Sequence, residues 1–460
     1  MTRADDLSIP TAPARDAQEA QEAQEAQEGM RCAPEPRLKI AVLTRHFTPT
    51  AGGAERYAMA LVQALCERHE VHVFAQRIEH APQGAHYHGV SEPLKRSRWM
   101  NQWWYAYTTW QLTKQGFDVV HSHENTWHAQ VQSVHVTPAW ITYFKGSKSS
   151  KGLLARCQTV LRYAGLLISP RMMTYLWLEH RRLHPQFGKH VVSVSKRLEL
   201  QLLERFSLDA QHLSTVSPGV DEACTWLSAH GLSAMDAQAI KRHARERLGL
   251  DGQKTWLLWV GNDARKKGLK TLLEALAHLP EQVHLMVVGQ ARHADRIMRS
   301  FQDEPQDQSV GQSLAQRVAQ RVQLLGSLAD VSLAYLACDV LTHPTLEDTF
   351  GMVVLEAMSF GRPVCVSAPE YCGIAADLTH QEQAFIVQDP RDAQMWVQGI
   401  EWILEPKHTD QLAQSGLEWS KTQTWQAKAR DMEQVYLKVW KGLGQANALS
   451  SESPLRDAGS

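Results

Sequence analysis

Long apolar runs, paired cysteines and a surplus of one charge are all missing from this sequence, and each absence narrows what it can be. No stretch approaches the roughly 20 consecutive apolar residues that a membrane-spanning helix needs, and no secretory signal pattern is present. A chain of this kind meets a membrane only along its surface. The seven cysteines (Cys32, Cys66, Cys157, Cys224, Cys338, Cys365 and Cys372) are odd in number, scattered and free of any Cys-x-x-Cys pair. That argues against a disulfide framework or a zinc site and fits a reducing cytoplasm. Charge is balanced, 48 Lys+Arg against 49 Asp+Glu, so no global field recruits nucleic acid. The first glycine-rich loop is not Gly-x-Gly-x-x-Gly, which speaks against a nicotinamide site. No Asp-x-Asp stands in a place suited to a metal.

What is present alternates. At 460 residues the chain exceeds one ordinary core, so two domains plus tails are the default. Residues 1–37 form a leader in which 17–28 repeat Ala-Gln-Glu without an apolar face, and disorder is expected there. Apolar runs at 38–44, 70–75, 117–125 and 191–196 read as strands of a first domain over 38–225. Runs at 256–261, 284–289, 322–326, 363–366 and 384–387 read as strands of a second over 226–424, with a polar surface insert at 302–313. The intervening 3.6-residue periodicities, such as Ala58, Leu61, Val62 and Leu65, mark helices with one buried face. The class is α/β, two doubly wound Rossmann-like domains with a cleft between them.

The richest stretch runs from His343 to Met358. A strand ends near Pro344, a polar loop carries Asp348, and a helix closes at Gly361-Arg362-Pro363. Strand, loop and helix N-terminus is the arrangement that binds anions in parallel sheets, because unpaired N–H groups and the helix dipole face the loop. Asp348 reads either as an N-cap or as a ligand-facing acid. Glu356, among Val353, Val354, Leu355, Ala357 and Met358, is either solvated on a narrow polar stripe or held for a partner such as sugar hydroxyls. Arg265, Lys266 and Lys267 cluster just before a helix N-terminus, where positive charge is disfavoured unless an anion is present. They are a phosphate site or an exposed basic turn. Gly52-Gly53 at the first βα turn lets backbone approach a diphosphate, or is a plain flexible turn. His123 falls at the carboxyl end of a strand, where ligands of such sheets bind.

An acid, seven residues, then Glu, with Gly three after the first acid and Gly-x-Pro at the helix end, resembles the signature of retaining nucleotide-sugar glycosyltransferases of family 4 type and GT-B fold. Gly-Gly-Ala-Glu at 52–55, the basic Lys-Lys-Gly at 266–268 and Pro218-Gly219 resemble the same family. The segments 261–268, 287–290 and 344–363 most closely resemble the lipopolysaccharide core glucosyltransferase I type. The usual first acid is Glu where this chain has Asp348, and several relatives carry Arg where it has Asn262. The resemblance implies transfer of a hexose, UDP-glucose being the expected donor, to a hydroxyl of a glycolipid or saccharide in lipopolysaccharide core biosynthesis. It implies catalytic positions at His123, Asp348 and Lys267, and donor binding by Gly52, Gly53, Arg265, Lys266, Lys267, Thr349, Phe350, Gly351, Met352 and Glu356. No metal and no cofactor besides the donor substrate are expected. A helix over 425–443 is expected to cross back onto the first domain, followed by a disordered tail at 444–460.

Two stretches interleave bases with aromatics, 95–110 and 144–184, the second carrying eight Lys and Arg against Glu179 alone. They suit an anionic lipid surface or acceptor contact, or else their aromatics are core and their bases a solvated face. The resemblance assigns acceptor binding to the first domain, and peripheral attachment to the inner face of a cytoplasmic membrane fits it. Other readings are a sugar-nucleotide epimerase of the same architecture, and a non-catalytic carbohydrate or lipid binder that kept the fold.

Overall fold

The computed structural model describes residues 36–48, 52–79, 81–144, 169–184, 189–290, 298–299, 311–328 and 330–451. The leader, most of the 144–184 stretch, most of the polar insert and the end of the tail lie outside the described residues. Among the described residues the strands are β1 (Lys39–Leu43), β2 (His46–Phe47), β3 (Glu70–Ala75), β4 (Arg77–Ile78), β5 (His86–Gly89), β6 (Val119–Ser122), β7 (Val131–Val134), β8 (His190–Ser193), β9 (Leu213–Thr215), β10 (Thr255–Val260), β11 (Val283–Val288), β12 (Val322–Gly326), β13 (Val340–His343), β14 (Val364–Ser367) and β15 (Phe385–Val387). They form a seven-stranded sheet in the order β5-β3-β1-β6-β7-β8-β9 and a six-stranded sheet in the order β12-β11-β10-β13-β14-β15. Each ladder in both sheets is parallel. Short β2 and β4 pair beside the first sheet's loops.

Parallel strands are buried on both faces, which is why β1 and β10 read as continuous apolar runs rather than alternating ones. The second half packs Leu257, Trp259, Leu285 and Val287 of its sheet against Leu272, Leu276, Trp396 and Ile400 of the flanking helices. In each sheet the strand order reverses at one place, between β1 and β6 and between β10 and β13. Crevices at the carboxyl ends of such switch points are where doubly wound folds bind ligands. All four loops singled out in the sequence leave from those ends.

Contacts join the two halves. The C-terminal helix Trp425–Ser451 packs on the helix Gly53–Leu65 and on β6 of the first half. The Tyr436 hydroxyl lies 2.7 Å from His121 Nδ1, and Glu433 pairs with Arg68 and His69. At the crossing, Val220 N–H donates to the Gln423 carbonyl at 2.8 Å. A Cβ on Gly219 would fall 2.7 Å from the Trp425 nitrogen, which explains a glycine there.

The first aromatic stretch departs from both a simple core and a simple surface. In the helix Arg98–Thr113 the buried side chains include Asn101, Gln102, Thr109 and Thr113, while Met100, Trp103, Tyr107, Trp110 and Leu112 are exposed. Its polar side faces inward, where Asn101 bonds Gln76 and Gln102 donates to the Asn125 carbonyl. The second stretch needs a correction. Arg182 and Glu179 are buried: Arg182 donates to Asn125 and to the Ser133 carbonyl, and Glu179 accepts the Ala139 and Trp140 N–H groups at 2.7 and 3.0 Å. Both are structural groups, and because one is a base and the other an acid, the basic excess of the stretch is unchanged by their burial.

Candidate active site

The loop after β10 and the loop after β13 are tied together by backbone. Leu346 N–H donates to the Lys266 carbonyl at 2.8 Å. Gly268 caps the helix Leu269–His278 at φ 66°, and a Cβ there would sit 1.8 Å from the Pro344 carbonyl oxygen. Trp259 Nε1 donates to the Lys267 carbonyl at 2.9 Å. These ties aim the Lys267 ammonium at Asp348 Oδ2, with which it pairs, and His343 Nε2 lies 2.9 Å from the same oxygen. Burial pushes the Asp348 carboxyl up, but Lys267 and the His343 hydrogen bond outweigh it and hold the group well below the usual carboxylate range. The buried His343 is itself pushed down, burial outweighing the opposing Asp348 charge.

At three places the structure narrows the alternatives that the sequence left open. Asp348 is not an N-cap: the helix runs Met352–Ser359, and its cap is Gly351 at φ 105°, where a Cβ would meet Cys372 Sγ at 2.7 Å. The bases ahead of Gly268 are not left without anions, since Lys266 pairs with Glu347 at 3.3 Å and Lys267 with Asp348; Arg265 is exposed. Glu356 is not solvated. It accepts from the Tyr335 hydroxyl at 2.6 Å, and Arg56 Nη2 stands 3.0 Å from its other oxygen.

Arg56 comes from the first half, one turn beyond the glycine pair. Gly52 has extended backbone at φ 171°, and Gly53 begins the helix Gly53–Leu65, a Cβ there meeting Met352 Sδ at 3.7 Å. The contacts run in step, Gly53 beside Met352 and Arg56 beside Glu356. A second clasp comes from the helix Lys196–Phe206. Ser195 Oγ donates to the Thr349 carbonyl at 2.6 Å, Arg197 to the Asp348 carbonyl at 3.0 Å, and Lys196 pairs with Asp377 at 2.6 Å. Thr349 thus contributes a carbonyl to the clasp. The Phe350 side chain is buried, and its carbonyl accepts from Ile374 N–H at 2.7 Å.

His123 follows β6 in the first half. Its N–H donates to the Leu43 carbonyl, and its Nδ1 lies 2.8 Å from His135 Nε2. It packs against His121, His135 and Tyr57, with Tyr57 in turn edge-on to Trp425. Burial pushes the His123 imidazole well down and holds it neutral, with the neighbouring histidines and Arg182 adding to the effect. Its Nε2 is buried and has no hydrogen-bond partner among the described residues. The structure places His123 with the histidine cluster rather than in the Lys267–Asp348 pair.

One set of side chains here has metal-ligand spacing, His343, Asp348 and Cys372. It fits a cation poorly, because Lys267 already holds Asp348 Oδ2 and burial pushes the Cys372 thiol far up. Sequence reasoning missed Arg56, Ser195, Arg197, Tyr335, His135 and His343. Only Arg56 carried a signal, its position one turn past Gly52-Gly53.

Comparison with known proteins agrees with the two-domain architecture. Residues 51–223 match the family described as Glycosyltransferase Family 4, and residues 240–419 match Glycosyl transferases group 1. Lipopolysaccharide glucosyltransferase WaaG of Escherichia coli (strain K12) is 32% identical over 146 residues, 32% of this chain and 36% of that protein. A D-inositol 3-phosphate glycosyltransferase of Xylanimonas cellulosilytica is 25% identical over 241 residues, 52% of this chain and 54% of that protein. The alignments thus span between a third and about half of these curated relatives. The crystal structure of WaaG superposes with a TM-score of 0.66 at 19% identity, covering 86% of this chain and 99% of that one. Anabaena Alr3699/HepE, solved with UDP and glucose, gives 0.60 at 16% identity, covering 87% and 99%. With a family 4 domain followed by a group 1 domain on paired parallel sheets, the chain belongs to the GT-B glycosyltransferases and resembles the lipopolysaccharide core glucosyltransferase type.

Proposed function

We propose that the protein transfers a hexose, glucose from UDP-glucose in the first instance, to a hydroxyl of a glycolipid or saccharide with retention of anomeric configuration, in building a lipopolysaccharide core. The observation that carries the reading is the meeting of the two switch-point loops of the second half, Lys267 against Asp348, with the glycine pair and Arg56 of the first half across the cleft. A departing nucleoside diphosphate gathers negative charge. Lys267, assisted by Lys266 and the exposed Arg265, and the N-terminus of the Met352–Ser359 helix would stabilise it. Glu356, oriented by Tyr335 and Arg56, would accept the ribose hydroxyls.

His123 would donate to, or orient, a sugar hydroxyl through its unpartnered Nε2. A front-face path through an oxocarbenium-like state asks for no enzyme nucleophile, and the reading needs no metal or further cofactor. Asp348 holds Lys267 in place before the donor arrives. The exposed aromatic surface of the first half supports contact with a glycolipid acceptor at an anionic membrane, which would make the protein peripheral on the cytoplasmic face. Among the described residues no helix is long and apolar enough to cross a membrane.

A panel of UDP-, GDP- and ADP-sugars screened by thermal shift, followed by UDP release with and without acceptor, tests the reading. A melting temperature raised by UDP-glucose, and release that requires acceptor, are expected. A chain whose stability no nucleotide sugar alters is not this enzyme.

A further inference from the structure

Away from the cleft, the first sheet carries a group of side chains that the transfer reaction does not use. Glu70 and His72 alternate along β3, and His86 and His88 along β5, so all four project from the same face of a parallel pair. The register sets His72 directly opposite His86 and Phe74 opposite His88. The imidazoles of His72 and His86 stack with centroids 4.6 Å apart. Glu70 Oε1 lies 2.9 Å from His72 Nε2, and His88 Nε2 lies 2.9 Å from His72 Nδ1. Ligand atoms of Glu70, His72 and His86 all fall within 4.8 Å of one another. The strand β5 is the sheet edge, and His86 is exposed while Glu70 and His72 are partly so, which leaves a path from solvent.

We propose that Glu70, His72 and His86 bind a late first-row divalent cation, Zn²⁺ first, as a clip that fastens the edge strand β5 to β3. Two imidazoles and one carboxylate are a borderline-soft N₂O set that suits zinc, with the fourth tetrahedral position left to water. In a tetrahedral zinc site, ligand atoms about 2.0–2.1 Å from the metal lie roughly 3.3 Å apart. Closing the group therefore requires that the exposed His86 turn inward and that Lys39 release Glu70. With the metal on His72 Nε2, the Nδ1 proton is donated to His88, the outer contact that fixes a ligating imidazole's tautomer. Lys39 is the competitor: its ammonium sits 2.9 Å from Glu70 Oε1, on a side chain 42% exposed and free to swing away. The site lies toward the amino ends of the strands, whereas the Gly52 loop and His123 follow their carboxyl ends, so it serves the fold rather than the transfer.

Zn²⁺ alone, titrated into the metal-free full-length chain by calorimetry, and Co²⁺ followed by its visible absorption, test this. One equivalent is expected to bind at this site, with a tetrahedral Co²⁺ spectrum and a raised melting temperature that a chelator reverses. His86→Ala, at an exposed edge position that folding tolerates, should weaken binding about tenfold or more, and His88→Ala about tenfold. Lys39→Gln should tighten binding by removing the competing cation, an effect that a purely structural histidine stack has no means to produce. His184→Ala, in the i, i+4 pair with His180 on another helix, should leave this equivalent unchanged. Absence of binding, or a stoichiometric site indifferent to both His86→Ala and Lys39→Gln, overturns the proposal.

Discussion

Arg56 Nη2 of the first half stands 3.0 Å from Glu356 Oε1 of the second, while the Tyr335 hydroxyl holds the other carboxylate oxygen at 2.6 Å. One carboxylate therefore reads both its own domain and the opposite wall of the cleft. The Arg56 guanidinium is drawn to its charged form by Glu356 against the cost of burial. Its side chain is 52% exposed, so solvent screening leaves the pair little stabilising value.

The two partners should separate in experiment. Arg56→Ala should change folding stability by less than about 1 kcal/mol and act on donor KM more than on kcat. Glu356→Ala removes charge-assisted hydrogen bonds of up to about 3 kcal/mol to bound donor and should lower kcat/KM roughly a hundredfold. Steady-state kinetics with UDP-glucose varied, beside denaturant unfolding, checks both. Wild-type kcat/KM in the Glu356 variant would remove the ribose assignment.

Lys267→Ala should damage the protein twice. Transfer should fall by about a hundredfold or more for want of a charge on the departing diphosphate. Stability should fall by about 1–3 kcal/mol, because Asp348 is left as a mostly buried carboxylate with only His343 beside it. The double variant Lys267→Ala/Asp348→Asn should recover most of the stability and none of the transfer. Recovery of transfer along with stability would mean that Lys267 serves the fold alone.

The alternation of apolar runs and amphipathic helices made the doubly wound plan legible, because parallel strands buried on both faces leave continuous hydrophobic runs in the chain. β10 and β11 each fall within a residue of where their runs place them. Short strands were not legible: β5 is His-Tyr-His-Gly and β9 only Leu213–Thr215, too polar or too brief to stand out from loop. The loops of the site were readable as motifs, but their partners were not. Nothing local distinguishes Tyr335 from a core tyrosine, and Ser195 reads only as the cap of its own helix until the fold brings Thr349 against it. The same limit hid the histidine group at the sheet edge, whose members lie on two strands and share no spacing motif. Reading Asp348 as a possible cap failed because a neighbouring glycine with φ 105° took that place.

Acid should weaken the fold through the first-half histidines. Burial pushes His121 and His135 down to about 3, while an unfolded imidazole titrates near 6.5. Between those values the unfolded chain binds more protons, so stability is full above about pH 6.5 and is lost progressively as pH falls. Each histidine contributes a slope approaching about 1.4 kcal/mol per pH unit. Around them stand His123, itself pushed well down by burial, Arg182, which opposes protonation, and the neutral Tyr57, Tyr436 and Ser133. Asp348, held low in the fold, loses its contribution only as pH falls below about 5, where the unfolded carboxyl titrates, and so adds little between pH 7.5 and 5.0. Urea unfolding from pH 7.5 to 5.0 should give a slope about two protons shallower in the His121→Asn/His135→Asn variant. Equal slopes would mean that these histidines are already charged in the fold.

The aromatic surface makes its own prediction. Trp103 stacks on Tyr107 at 5.7 Å, Trp110 and Trp127 continue the array, and Trp127 meets Trp177, over which Arg181 lies at 5.9 Å. Trp103, Tyr107, Trp110, Trp177 and Met173 are exposed, on helices whose buried positions include polar groups. A run of large aromatics turned outward and rimmed by bases is costly in water and stable at a lipid interface. Sedimentation with vesicles containing anionic lipid should bring the protein down, less so as salt rises. Trp103→Ala/Trp110→Ala should weaken that binding at every salt concentration, because it removes buried apolar area rather than charge. Folding stability should change little, since neither ring belongs to the core. Binding that ignores both lipid charge and these two tryptophans would assign the surface to a protein partner instead.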